Sequence, residues 1–271
     1  MKVAAIQMNS KDDVSANLQS ALSLTAEAAQ NSAEFVAFPE NMLYIGSDKF
    51  FDFEADGEEI TALGNAAKTH NLYLLAGSIP ERIEDDERHY NTSLLFSPDG
   101  SELVRYRKIH LFDADLPDVD HKRLESKRVK AGDMAVTTDI PFGKIGLAIC
   151  FDLRFPELFR TLAFEGVDAI FLPSNFTHYT GKDHWLPLIK ARAIENQTYI
   201  VAPAQIGEKS QGEVSHGKTV IVDPWGMEMA IADDLDETII YAELDMEILT
   251  SLRQRIPVLK SATHWQSTFK V

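Results

Sequence analysis

Ile145-Gly146-Leu147-Ala148-Ile149-Cys150-Phe151-Asp152-Leu153-Arg154-Phe155-Pro156-Glu157 is the stretch from which the fold is read. Ile145 to Cys150 is a short apolar run with the length of a buried strand, and it ends on a reactive side chain. Pro156 opens a segment of helical period that reaches Glu165, since proline's fixed φ and missing N–H suit a first helical turn. Ala169 to Leu172 is a second short strand. Strand, helix and strand in succession place the chain in the α/β class.

The same rhythm extends in both directions. Towards the N-terminus it predicts strands over Val3 to Met8, Phe35 to Phe38 and Leu72 to Ala76. Helices lie between them, over Ser15 to Gln30 and Glu58 to Thr69. Thr92 to Phe96 and Leu103 to Lys108 flank the turn Ser97-Pro98-Asp99-Gly100 as a hairpin. Towards the C-terminus come a helix over His184 to Asn196 and strands over Tyr199 to Ala202 and Thr219 to Val222. The turn Asp223-Pro224-Trp225-Gly226 leads into Met227 to Ile231, followed by a strand over Thr238 to Leu244 and a helix over Met246 to Arg255. Residues 113–132 are charged and aperiodic, hence a long loop of the kind that is commonly functional. With no repeat, low-complexity tract or linker, residues 1–271 read as one domain with a tail over 256–271. That tail holds Pro257, Trp265 and Phe269, apolar material suited to assembly. Hairpins mixed with strand–helix units suggest a four-layer αββα sandwich, although periodicity alone leaves a doubly wound single sheet almost equally good.

Composition removes several function classes. The chain of 271 residues is 45% hydrophobic and carries a formal charge of −16. Such a surface repels phosphate backbones and anionic lipid, which argues against nucleic-acid and membrane-surface partners. No apolar run approaches the roughly 18 residues of a membrane span. The opening MKVAAIQMNSKDD turns polar too early for a secretory signal, so a cytoplasmic protein is expected. One cysteine, Cys150, precludes an internal disulfide or a polycysteine metal site, and the eight histidines show no metal-ligand spacing.

Three reactive side chains fall at strand ends, where α/β sheets gather ligands. Glu40 follows Phe35 to Pro39, Lys108 closes the second hairpin strand, and Cys150 closes the strand of the opening stretch. Singly, each has an ordinary reading: a core thiol, a solvated turn carboxylate, a solvated strand-end lysine. Together they can perform acyl transfer, with thiolate as nucleophile, carboxylate as proton carrier and ammonium facing the oxyanion. The thiol needs a neighbouring base or cation to react at neutral pH. Glu40 and Lys108 supply one of each, and the helix start at Pro156 adds its dipole.

Three segments carry a resemblance. Phe38-Pro39-Glu40-Asn41, Tyr106-Arg107-Lys108-Ile109-His110-Leu111-Phe112-Asp113 and the stretch from Gly146 to Glu157 resemble, in order and separation, the catalytic segments of the nitrilase, or carbon–nitrogen hydrolase, superfamily. Arg192 to Gln197 and Val222 to Gly226 extend the likeness over essentially the whole chain. The resemblance implies Glu40 as general base, Lys108 as oxyanion stabiliser, Cys150 as nucleophile, Glu125 as a second active-site glutamate and the Phe151 N–H as second oxyanion donor. It also implies a homodimer formed through a helical face and no metal or organic cofactor.

Within that superfamily the chain is similar to the small amidases that include deaminated glutathione amidase and omega-amidase, leaning to the first. Pro173 to Trp185 resembles their substrate-side loop, which nominates Asn175, Phe176, His178, Thr180 and Lys182 for substrate binding. Leu186 and Ser215-His216-Gly217-Lys218 depart from the commoner pattern. Both substrates carry carboxylates, so a local cation must oppose the acidic surface. Arg154 is the first candidate, and its ordinary alternative is an ion pair with Asp152 or Glu157. A reading from another class is a binding protein on the same fold, or a redox sensor using Cys150 without a resolving partner.

Overall fold

The computed structural model describes residues 1–46, 52–54, 57–115, 123–209 and 212–262. Its first half forms β1 (Lys2–Gln7), α1 (Val14–Gln30), β2 (Phe35–Ala37), α2 (Glu58–His70), β3 (Tyr73–Arg82), β4 (His89–Phe96) and β5 (Glu102–Arg107). A short pair, β6 (Asp113–Ala114) and β7 (Arg123–Leu124), leads to a 3-10 turn over Glu125–Lys127. The second half opens with β8 (Val136–Ile140) and β9 (Gly143–Leu147), then a 3-10 turn over Cys150–Arg154, α3 (Pro156–Phe164), β10 (Ala169–Phe171) and α4 (His178–Asn196). It continues through β11 (Tyr199–Ala202), β12 (Ile206–Glu208), β13 (Val214–His216), β14 (Val220–Val222), β15 (Glu228–Ile231) and β16 (Thr238–Glu243). Helices α5 (Met246–Arg255) and α6 (Val258–Ala262) close the described chain.

Two six-stranded sheets result, ordered β16-β1-β2-β3-β4-β5 and β15-β14-β11-β10-β9-β8. Each has three parallel strands at its centre, β1, β2 and β3 in one and β9, β10 and β11 in the other. Side chains alternate across the first sheet as the pleat requires. Val3, Ala5, Phe35, Ala37 and Leu75 join the core shared with the second sheet, while Ala4, Ile6, Val36 and Leu74 pack with α1 and α2. Phe35 of β2 stacks on Phe171 of β10 with centroids 4.2 Å apart, so the sheets meet face to face. Phe159 and Leu162 of α3 and Trp185 and Ile189 of α4 cover the second sheet. The architecture is the four-layer αββα sandwich, and the single doubly wound sheet is excluded.

Several local expectations are corrected. The long loop over 113–132 contains the β6–β7 pair and the turn over Glu125–Lys127, while residues 116–122 lie outside the described residues. Strand β8 was not expected: it is an edge strand whose only sheet neighbour is β9, and Thr137-Thr138-Asp139 masks its pattern. Helix α4 begins at His178, six residues early, because the Thr177 side chain caps it by accepting from the Thr180 N–H. Its first turns carry no apolar period. Of the tail, Val258–Ala262 forms α6, whereas Trp265 and Phe269 lie outside the described residues. Among the described residues, no helix is long and apolar enough to cross a membrane.

Candidate active site

Lys108 and Cys150 lie just beyond their strands, not within them. Strand β5 ends at Arg107 and β9 at Leu147, so the chain turns before it presents either group. Cys150 is the first residue of its 3-10 turn, with φ at +46°, in the left-handed region that L-residues seldom occupy. Its N–H donates to the Pro173 carbonyl beyond β10 at 2.9 Å. This short turn separates the thiol from the start of α3, so the dipole expected from Pro156 belongs to a helix one turn further on.

Asp152 holds the turn in place. Its carboxylate is fully buried and accepts from the Ile149 N–H at 2.8 Å and the Tyr106 hydroxyl at 2.6 Å. It also takes the His110 N–H at 3.1 Å and the His110 ring Nδ1 at 2.7 Å. The Cys150 turn is thereby tied to both flanks of Lys108. From α4, Arg192 Nε donates to the Leu153 carbonyl at 3.0 Å. Asp152 is therefore no partner for Arg154, and its role escaped a reading of charges along the chain. The signal was available in the quoted motifs, which contain Tyr106, His110 and Asp152 together.

Lys108 Nζ lies 2.9 Å from Glu40 Oε1 and donates to both oxygens of Glu125 at 3.0 and 2.9 Å. The lysine and Glu40 are almost wholly buried, whereas the Glu125 side chain is 18% exposed. Asn91 Nδ2 of β4 donates to Glu40 Oε1 at 2.9 Å and reaches Glu125 Oε1 at 3.4 Å. The Asn175 N–H donates to Glu40 Oε2 at 2.8 Å. Every sequence-nominated catalytic residue thus joins one cluster, with Asn91 as an unforeseen member that no motif marked.

The electrostatics follow from burial and neighbours. Burial lowers the Lys108 pKa, but Glu125 and then Glu40 outweigh it, raise it well above the ordinary lysine value and keep the ammonium charged. Burial, and next the Glu40 charge, push the Cys150 thiol well above its ordinary range, against the pull of Lys108. At rest the site therefore holds a neutral thiol that donates to the Glu40 carboxylate. A neutral thiol beside a carboxylate is an arrangement in which Glu40 can take the thiol proton.

Cys150, Phe151, Arg154, Asn175, Phe176 and Thr180 line an open cleft of about 230 Å3. Arg154 sits 5.3 Å over the Phe176 ring and 5.8 Å from that of Phe151, and its Nη1 meets His184 Nδ1 at 3.3 Å. Among the described residues no carboxylate pairs with it. Two nominated residues are elsewhere: His178 faces His216, with ring centroids 5.6 Å apart, and exposed Lys182 lies over the Tyr179 ring. Neither lines the cleft.

The chain belongs to the carbon–nitrogen hydrolase family, whose sequence profile matches residues 2–254. It is 40% identical over 268 residues to a deaminated glutathione amidase of Synechocystis, covering 95% of this chain and 96% of that protein. It is 41% identical over 263 residues to omega-amidase NIT2 of Mus musculus, covering 96% and 94%. The crystal structure of Saccharomyces cerevisiae Nit3, a member of branch 10 of the nitrilase superfamily, superposes with a TM-score of 0.86 at 33% identity, covering 95% and 94%.

Proposed function

We propose that the protein is a single-domain amidase that hydrolyses a small, linear, carboxylated amide through a thioester, with deaminated glutathione as the first substrate reading. The observation that carries this is Lys108 clamped between Glu40 and Glu125 beside a buried thiol, in a cleft lined by an arginine that no carboxylate pairs with among the described residues. Glu40 takes the Cys150 proton as Sγ bonds to the amide carbon, and the oxyanion forms against Lys108 Nζ and the Phe151 N–H. Protonated Glu40 then gives that proton to the nitrogen, and the C–N bond breaks. A water loses its proton to Glu40 and attacks the thioester, after which the acid departs and Sγ recovers the proton. Thiol, carboxylate and ammonium supply all of this chemistry without a metal or organic cofactor. Glu125 orients Lys108 and the loop beyond it, since one of its oxygens also accepts from the Phe112 N–H.

Arg154, with the Asn175, Phe176 and Thr180 walls, receives the acyl side of the substrate. An omega-amidase acting on α-keto acid amides is the second reading, because the two kinds of relative are equally similar at 40% and 41% identity. The redox-sensor alternative fits poorly with a thiol that is 8% exposed and held neutral. We place the protein in the cytoplasm as a homodimer. Kinetics with deaminated glutathione, α-ketoglutaramate, a neutral amide and a nitrile test the assignment, combined with intact-mass detection of an acyl adduct. Wild type is expected to turn over a carboxylated amide and to accumulate the adduct, which Cys150→Ala abolishes together with turnover. Glu40→Gln also prevents the adduct, whereas Glu125→Gln still forms some. Substantial activity in Cys150→Ala would refute the mechanism.

A further inference from the structure

Behind the Glu40 segment lies a buried polar network that the mechanism does not use. Gln205, fully buried just before β12, fills every hydrogen-bonding site of its carboxamide. Its Nε2 donates to the Glu40 carbonyl at 3.1 Å and to Ser10 Oγ at 2.8 Å. Its Oε1 accepts from the Ser10 N–H at 3.0 Å and from Lys209 Nζ at 2.9 Å. The Gln205 N–H donates to the Ser174 carbonyl at 2.9 Å, and the next residue, Asn175, gives its N–H to the Glu40 carboxylate. Gln205 thus braces Glu40 at its main chain and, through Asn175, at its side chain. Ser10 Oγ extends the brace to the Met42 carbonyl, across Asn41, whose φ of +56° is one that L-residues seldom adopt.

Lys209 brings a charge to this network. Just past β12 it is 6% exposed, and its Nζ also donates to Asn9 Oδ1 at 2.9 Å and to the Ser10 carbonyl at 3.2 Å. All three acceptors are neutral oxygens. An ammonium has three N–H donors and satisfies each of them, whereas a neutral amine has two and turns its lone pair on the third. The ammonium has no acceptor of its own. Facing Oε1, it opposes the flipped carboxamide, in which the Glu40 carbonyl would lose its donor. Burial, and next the Lys11 charge, lower the Lys209 pKa to about 7, against the pull of Glu237. Glu237 itself accepts from the Asn9 N–H at 2.7 Å. On the hairpin, the Lys11 ammonium donates to the Glu208 carbonyl, and the Lys209 N–H donates to that of Glu213 at 2.6 Å.

We propose that Lys209 is a positioning residue for the amide hydrolysis: as an ammonium it fixes the Gln205 carboxamide, which holds the Glu40 main chain where the carboxylate meets Cys150. Lys209 lines no part of the thiol's cleft, so it acts through Gln205. The inference rests on the amidase reading and adds to it a residue outside the charged cluster.

The test is the pH profile of kcat and KM for deaminated glutathione in wild type, Lys209→Arg and Lys209→Met. Lys209 is charged below its pKa and neutral above it, so wild-type kcat is expected to fall by about 10-fold as the pH rises through about 7, with KM little changed. Lys209→Arg keeps its charge throughout and is expected to stay active without that alkaline fall. Lys209→Met is expected to run at the low alkaline level at every pH, and adding it to Gln205→Met to lower kcat no further. A wild-type profile without the fall, or a fall that persists in both variants, overturns the proposal and leaves the amidase reading intact. So does a Lys209→Met loss confined to KM. Should neither variant fold, NMR titration of the lysine side chains in wild type decides: a Lys209 midpoint that matches the fall in kcat supports the proposal, and one elsewhere overturns it. No turnover and no Cys150 adduct with deaminated glutathione or α-ketoglutaramate overturns the amidase reading, and the proposal with it.

Discussion

Arg154 illustrates what one residue contributes to this site. It closes the Cys150 turn, rests on two aromatic rings and meets His184, and burial lowers its pKa from the ordinary arginine value. A half-desolvated guanidinium without a carboxylate gains most from an anionic substrate. Arg154→Ala is therefore expected to raise KM for a carboxylated amide by about 10-fold to 100-fold and to alter a neutral amide much less. Arg154→Lys should recover part of the loss, because a point charge lacks the planar fork. Steady-state kinetics on one charged and one neutral amide decide it, and equal losses would reduce Arg154 to a support for the turn. At this scale Glu40, Lys108 and Cys150 were legible because each stands in a distinctive motif. Asn91 was not, because His89-Tyr90-Asn91-Thr92 reads as ordinary strand and only the fold brings its amide to Glu40.

Elements place these groups by ending at the right point. The turn over Cys150–Arg154 is joined to the segment after β5 by a single buried carboxylate, Asp152. Asp152→Ala would leave the Ile149 N–H, the Tyr106 hydroxyl and the His110 donors without their acceptor. The expected destabilisation is about 3 kcal/mol or more. For a chain of this size that corresponds to a Tm loss on the order of 6–12 °C in thermal denaturation. Turnover should fall with it, since Lys108 and the thiol lose their common tie. Asp152→Asn keeps one carbonyl acceptor and should lie between the two, with kcat reduced more than KM is raised. An unchanged Tm in Asp152→Ala would remove the positioning role. Among the elements that periodicity missed, β8 is an edge strand and the first turns of α4 are a capped helix start. Neither buries a regular apolar face for a pattern to reveal.

On the whole molecule, the acidic surface has an apolar interruption. Ile194 at the end of α4 is 52% exposed, and Trp225 and Met227, in the turn before β15, are 62% and 61% exposed. The close approach of Gly226 to the Ile194 side chain shows that the helix end and this turn adjoin. Exposed aromatic and aliphatic groups clustered in this way favour burial against a second copy. Sedimentation equilibrium is expected to give two 30.3 kDa chains per particle, and Trp225→Asp to shift the population towards one without loss of secondary structure. A wild-type monomer would end the homodimer proposal.

By itself the sequence determined the α/β class and most of the element order, and it nominated the thiol, lysine and two glutamates that the fold brings together. Periodicity and motifs are local properties, written within a dozen neighbouring residues. Only the tertiary structure decided between one sheet and two, since that choice rests on contacts such as Phe35 against Phe171. It likewise decided which charges meet, because Lys108 and Glu40 are 68 positions apart and Tyr106 and Asp152 are 46. Arg154 lacks a carboxylate partner among the described residues for the same reason. Its neighbour in sequence, Asp152, is fully engaged by donors that only the fold brings to it, and no pattern along the chain records how a buried carboxylate divides its lone pairs.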